Sequence, residues 1–277
     1  MKIKAATAIG SELISLPGYL TYKQKHLNLP AIDISEGRFN VRLANTPEEV
    51  AAALHLRYKV FNVELGNQPE SAFGIEKDEF DSTSHHLIAT LKDTGEVIGV
   101  YRLRTLEMAK HAGGFYSSQE FQLENLPEDV LARSVEIGRA CIAKQYRNKS
   151  VLFLLWKGLA SYVMKTKKRY LFGCCSLFTQ DYAVGKKAWQ QILRDGYLHE
   201  TFRVKAQDDY AFTPQEKQVP DLTEELEVPK LFRSYLRIGT KVCSEPVIDR
   251  KFKTIDFFVI CDVAKLDGRY KSMFFGE

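Results

Sequence analysis

Val151 to Met164 is the most apolar run of the chain, interrupted by Lys157, and it lies between two strand-forming stretches, Val135 to Ala143 and Tyr170 to Ser176. A helix of this length falls short of the roughly 20 residues needed to cross a bilayer. Its apolar surface must therefore be covered by protein, and the strands at both ends supply a sheet for that purpose. A helix buried on a sheet by its own flanking strands predicts a mixed α/β layer fold.

The surrounding pattern agrees. Phe39 to Leu43 reads as a strand. Thr46-Pro47-Glu48-Glu49 supplies an N-cap, a proline at the first helical position and acids in the first turn, so a helix should run towards Phe61. His86 to Leu91 and Glu96 to Leu103, joined across Lys92-Asp93-Thr94-Gly95, predict a hairpin. A further helix is expected at about 182 to 193, ended by Gly196. A last helix and strand are expected at about 229 to 242 and 254 to 262. The reading divides into an arm over 1–37, a core over 38–205, a polar connection over 206–227 with Pro214 and Pro220, and a C-terminal helix-strand extension over 228–277.

Charge and cysteine content exclude several classes. The chain has 277 residues and a formal net charge of +4, too little for nucleic-acid binding by bulk electrostatics. Five cysteines include the adjacent Cys174 and Cys175 but no CxxC, which speaks against a disulfide framework or zinc site and for a reducing cytoplasm. The N-terminal segment lacks the apolar stretch and cleavage site of a secretory signal. GxGxxG, P-loop, GxSxG and HExxH motifs are all missing. His85 and His86 would point to opposite faces of a strand, so no metal is expected there.

The turn Gln145 to Ser150, between a strand and the apolar helix, presents helix N-terminal amides and the charges of Arg147 and Lys149 to an anion, with Ser150 as a candidate N-cap. An ordinary capped helix with solvated basic residues fits the same residues.

This strand-turn-helix resembles the acyl-donor site of the GNAT acyltransferase superfamily, in which a Q/R-x-x-G-x-G/A loop cradles the donor's pyrophosphate. Here the loop reads Arg147-Asn148-Lys149-Ser150-Val151-Leu152. Ser150 and Leu152 fill the two small positions, so the single phosphate of a carrier-protein phosphopantetheine is expected rather than coenzyme A.

Arg57-x-x-x-Phe61, Asp78-x-x-Asp81, Arg102 in GVYRLRT, and Glu136-x-x-Arg139 follow in the order seen in acyl-homoserine lactone synthases. The tail, with LFGCCSLF, YLRIG, Asp249-x-x-Phe252 and DFFVI, resembles more closely the ornithine-lipid type of amino-acid N-acyltransferase, often labelled hemolysin-like. That resemblance covers about residue 40 to the end. It implies a GNAT-like mixed sheet flanked by helices and an enzyme moving a long, commonly 3-hydroxylated, acyl group from acyl carrier protein to the α-amine of an amino acid such as ornithine. The product would be a lyso-aminolipid.

On this resemblance Glu136 is the candidate base, directly or through water, with an ion pair to Arg139 as its structural alternative. Ser176 and Tyr182 are candidate proton donors to the departing thiolate, and a strand N–H is the oxyanion donor. Arg57, Phe61, Asp78, Asp81, Arg102 and Arg139 are expected around the acceptor, or else as structural ion pairs. Gln145, Arg147, Lys149 and Ser150 would hold the donor, with the acyl-phosphopantetheine as substrate and no permanently bound cofactor. Lys230, Arg233, Arg237 and Lys241, read as one basic helix flank, would dock carrier protein or an anionic membrane. The location expected is cytoplasmic, with peripheral attachment to the membrane's inner face. Alternatives are lactone synthesis, which requires an S-adenosylmethionine acceptor, and a non-catalytic membrane-associated protein.

Overall fold

The computed structural model describes residues 29–66 and 73–276. The arm before residue 29 lies outside them. In chain order the strands are β1 (Asp33–Glu36), β2 (Phe39–Leu43), β3 (His85–Leu91), β4 (Val97–Thr105), β5 (Ser134–Ile142), β6 (Tyr170–Leu177), β7 (Lys241–Val242), β8 (Val247–Asp249) and β9 (Thr254–Asp262). The α-helices are α1 (Pro47–Tyr58), α2 (Leu106–His111), α3 (Glu128–Ala132), α4 (Lys149–Thr166), α5 (Tyr182–Arg194), α6 (Lys230–Arg237) and α7 (Gly268–Phe275). They fall into two compact units.

The first unit holds the described residues up to Gly113, Ile137 to Lys167, and a short C-terminal piece. β1 to β4 form an antiparallel meander, with Val41 opposite Ala89 and His86 opposite Arg102. α4 lies against this sheet so closely that a Cβ added at Gly158 would stand 2.6 Å from Val41 Cγ1 and 3.0 Å from Leu87 Cδ2. Glycine is what allows the buried helix to approach. α1 begins as its sequence predicts, with the Thr46 side chain accepting from the Glu49 N–H at 3.2 Å. It ends at Tyr58, and Lys59–Glu64 continues as a wider π-helical turn that carries Phe61.

Two expectations are corrected here and in the second unit. Ser150 is not the N-cap of α4: Asn148 is, its side chain accepting from the Val151 N–H at 3.0 Å, so Ser150 sits inside the first turn. The helix expected to 242 ends at Arg237, because Gly239 takes φ +106° and turns the chain. Lys241 therefore lies in β7, not on the helix flank, and its ammonium donates to the Gly196 carbonyl at 2.7 Å.

The second unit holds Gly114 to Glu136 and Lys168 to Ser272. The first residues of β5 pair in parallel with β6, Glu136 standing beside Phe172. β6 pairs antiparallel with β9, placing Cys174 opposite Phe258 and Ser176 opposite Asp256. β7 and β8 also pair with β9, with Asp249 opposite Thr254.

Side chains in strands alternate between faces, so this register sorts the second unit's residues in two. Cys175, Leu177, Ile255, Phe257 and Val259 share a buried cluster with Phe232 and Leu236 of α6. Glu136, Phe172, Cys174, Ser176, Asp249, Asp256 and Phe258 take the other face. The segment Phe115 to Phe121 covers that second face, with Phe115 edge-on to Phe172 at 5.0 Å and Phe121 edge-on to Phe258 at 5.6 Å.

Candidate active site

Glu136 has only 5% of its surface exposed and is held by the covering segment. Its Oε1 accepts from the Ser117 N–H and the Ser117 hydroxyl, both at 2.7 Å, and Oε2 accepts from the Tyr116 N–H at 2.9 Å. A carboxylate offers about four lone-pair positions. Three are taken, and the one left on Oε2 can receive a proton from an amine or a water.

The alternative reading of Glu136 as the partner of Arg139 does not describe this chain. Arg139 pairs with Glu76 at 3.2 Å and with Asp78 at 2.9 Å. Its own backbone takes φ +52°, a left-handed conformation that is uncommon for a residue with a side chain. Ser176 shares the face of Glu136, and Tyr182 does not: its ring packs on Phe212 at 4.7 Å, in the cluster on the opposite side of the sheet.

The residues expected at the acceptor meet in the first unit. Arg57 is fully buried, bound through both terminal nitrogens to Asp81 and also to Glu76. Arg102 bridges Asp78 and Asp81. Arg57, Arg102 and Arg139 are thus matched by Glu76, Asp78 and Asp81, and the network neutralises itself. Burial alone would push Asp81 up, but Arg57, then Arg102 and His86, hold its carboxyl well below the usual carboxylate range. Phe61 is half-buried against a neighbouring hydrophobic cluster. Glu76, two residues before Asp78, completes this network and was not singled out from sequence.

On the donor side Gln145, Arg147, Lys149 and Ser150 are all exposed before and within the first turn of α4. Arg147 is anchored by donating to the Ile142 carbonyl at 2.8 Å and to Glu64 at 2.6 Å. Lys230 and Arg237 are exposed on α6, and Arg233 pairs with Glu227 at 2.6 Å.

A second acidic group stands on the face of Glu136. One carboxylate oxygen each from Glu120, Asp249 and Asp256 lies within 4.8 Å of the others, and all three residues are buried. Burial first, then Asp256 and Asp249, holds the Glu120 carboxyl well above its ordinary range, against hydrogen bonds from Cys174 and Tyr116. Oxygen donors of this kind can hold a hard cation. A signal was present in β9: Asp256 stands immediately before the apolar run Phe257 to Cys261. Glu120, in a short irregular segment, had no periodicity to expose it.

Comparison with known proteins identifies the family. The model of the acetyltransferase (GNAT) domain matches residues 56–157. An L-ornithine N(alpha)-acyltransferase of Brucella abortus (strain 2308) is 30% identical over 259 residues, covering 87% of this chain and 90% of that protein. The chain belongs to this acyltransferase family. The L-ornithine N(alpha)-acyltransferase of Rhizobium meliloti (strain 1021) is also 30% identical, over 90% of this chain and 89% of its own length. Among solved structures, the AHL synthase LasI aligns at TM-score 0.47 with 11% identity, over 87% of this chain and 96% of that one. The family is one of enzymes, and the mixed α/β fold with its helix-covered sheet is a GNAT-like acyltransferase fold. Among the described residues no helix is long and apolar enough to cross a membrane.

Proposed function

We propose that this acyltransferase moves a long fatty acyl group, commonly 3-hydroxylated, from the phosphopantetheine thioester of acyl carrier protein to the α-amine of ornithine, leaving a lyso-aminolipid. The observation that carries the reading is the Glu136 carboxylate, fixed by three donors with one acceptor position open. The four-fold sequence resemblance to enzymes named for this acceptor supplies the substrate class.

Chemically, the amine must lose a proton, its nitrogen must attack the thioester carbon, and the C–S bond must break to release a thiolate. Glu136 takes the amine proton, directly or through one water. An N–H of the same strand receives the oxyanion. Ser176, on the same face, is the donor to the thiolate, and Tyr182, on the opposite face, is not. The acceptor-side residues of the first unit are Arg57, Phe61, Asp78, Asp81, Arg102 and Arg139, whose charges balance one another.

For the donor, the exposed Gln145, Arg147, Lys149 and Ser150 and the amides of the α4 N-terminus suit a single phosphate. Lys230, Arg233 and Arg237 give α6 a basic flank for carrier protein or an anionic membrane surface, where an amphiphilic product must be delivered. The test is to incubate the purified chain with acylated carrier protein or the same acyl group on coenzyme A, and with ornithine or S-adenosylmethionine. Mass spectrometry should find N-acyl-ornithine, formed faster from the carrier protein. Formation of a lactone, or no amide product, would overturn the proposal.

A further inference from the structure

The β7 edge of the sheet in the second unit gathers more positive charge than its carboxylates balance. Lys241 lies in β7, which pairs with β9 and ends the strand order. The chain from Gly196 to Val204 runs beside β7: the His199 N–H donates to the Val242 carbonyl at 2.8 Å, and the Val204 N–H to the Cys243 carbonyl at 2.8 Å. Lys265 closes the short 3₁₀ turn Val263–Lys265 that follows β9. Lys265, Arg203 and Lys241 all act on the buried His199 imidazole, so charges from three separate segments converge on one ring.

Two of these cations are held in place by backbone carbonyls of one loop. Arg203 donates from one terminal nitrogen to the Phe202 carbonyl at 2.7 Å and to the His199 carbonyl, and the Lys241 ammonium donates to the Gly196 carbonyl at 2.7 Å. Each keeps N–H groups to give: Arg203 its Nε and other terminal nitrogen, Lys241 the rest of its ammonium. Lys265 is exposed, and among the described residues no carboxylate forms an ion pair with any of the three. Asp262, on which Lys265 also acts, already takes two hydrogen bonds from Arg169 at 2.8 and 2.6 Å. Three positive charges thus face one exposed carboxylate, Glu200, on which Lys241 and Lys265 both act. His199 adds no further charge: its Nδ1 accepts from the Thr201 and Phe202 N–H groups at 3.1 and 3.0 Å, which leaves the ring proton on Nε2.

A surplus of oriented N–H donors suits an anion with several oxygens, and phosphate is such an anion. Exposure decides its source. One free phosphate among exposed cations is screened by salt over about 8 Å and gains little. A bilayer presents many phosphates side by side, so that each cation adds to the hold of the others. We propose that Arg203, Lys241 and Lys265 bind phosphate groups of anionic phospholipids and so set this sheet edge on a bilayer. The inference rests on the acyltransferase reading above for its purpose, since an N-acylated amino acid is an amphiphile that must pass to a membrane, and it names the surface of transfer. On α6, by contrast, Arg233 is already paired with Glu227, and that flank is left for carrier protein.

The test is sedimentation of the full chain with vesicles, in the absence of acyl donor and acceptor. Wild type should bind vesicles containing phosphatidylglycerol, release them in about 0.5 M salt, and ignore vesicles of phosphatidylcholine alone. Arg203→Gln and Lys265→Gln should each weaken binding about fivefold, the scale of one basic residue at an anionic surface, and the double variant about 25-fold. Both side chains are exposed, so circular dichroism should be unchanged, as should acyl transfer from carrier protein in solution. Vesicle binding is read without catalysis, so a wild type that transfers no acyl group strikes the reading beneath and leaves this result standing. Equal binding to both vesicle types, or a folded double variant that binds as tightly as wild type, overturns the inference. So does a loss confined to Lys230→Gln and Arg237→Gln, because α6 is then the membrane surface. Displacement by inorganic phosphate at matched ionic strength overturns it as well, because free phosphate is then the occupant.

Discussion

Ser117 meets the Glu136 carboxylate twice, through its backbone N–H and its hydroxyl, both 2.7 Å from the same oxygen. The contact ties a short 3₁₀ turn, Tyr116–Gln119, to the strand that carries the candidate base. It fixes which carboxylate oxygen stays available, because the two bonds from Ser117 consume Oε1 and leave a position on Oε2. Orientation of this kind acts on the rate more than on acceptor affinity. Ser117→Ala should lower kcat about tenfold, equivalent to about 1.4 kcal/mol, with little change in KM for the acceptor. Steady-state kinetics with both substrates varied checks it. A rise in KM alone would make Ser117 a binding residue instead.

The arginine network of the first unit makes a stability prediction. Arg57 is buried with its charge divided between Asp81 and Glu76. Removing one partner of such a group leaves carboxylates uncompensated, typically at about 3–5 kcal/mol. Arg57→Ala should lose stability on that scale in urea unfolding. A loss below about 1 kcal/mol would mean that water or another cation replaces the guanidinium.

Acid should destabilise the chain in a defined window. Burial first holds both His85 and His86 at about 4, against an ordinary value of 6.5. The unfolded chain therefore binds more protons than the native one between those values, and stability falls as pH drops from about 6.5 towards about 4. Each histidine contributes up to about 1.4 kcal/mol per pH unit. Asp81, held below the carboxylate range, loses its ion pairs only at still lower pH. Urea midpoints at pH 7 and pH 5 should differ, and the difference should shrink in His86→Gln. An equal slope in that variant would remove His86 from the account.

Glu120 gives the opposite sign. Its carboxyl is held above the ordinary 4.5, so the cost of ionising it grows as pH rises past that value. The groups facing it are Asp249, Asp256, Tyr116, Cys174 and Tyr210, whose phenol is itself pushed up to about 12 by burial, then by Asp249 and Glu120. Glu120→Gln should raise the melting temperature at pH 8 by more than at pH 5. A carboxyl buried among other carboxyls is expected to behave this way. A variant less stable at both pH values would show instead that Glu120 is a structural acid.

Much of the fold was legible because its elements obey clear periods. The Lys92-Asp93-Thr94-Gly95 turn marked the β3–β4 hairpin, Thr46-Pro47 marked the start of α1, and the apolar run marked α4. The errors fall where local signals compete. Asn148 and Ser150 are both good caps, and only the backbone geometry selects Asn148. The basic spacing from Arg233 to Lys241 continued past Gly239, whose positive φ ends the helix. At the candidate site, Glu136 was visible through its spacing to Arg139, yet the two do not pair. Ser117 and Glu120 belong to a segment without regular period, and their role depends on which strand face they cover. That register is a property of the folded sheet.

The central claim is that Glu136 receives the proton of the attacking amine. Its most direct test is the single-turnover rate of acyl transfer to ornithine from pre-bound acyl carrier protein, compared between wild type and Glu136→Gln. Glutamine keeps the shape, so circular dichroism and carrier-protein affinity should be unchanged while the rate falls by roughly 10²-fold or more. A rate within a factor of three of wild type, with saturating ornithine and an intact fold, would contradict the claim and leave Glu136 as the anchor of the Tyr116–Ser117 turn.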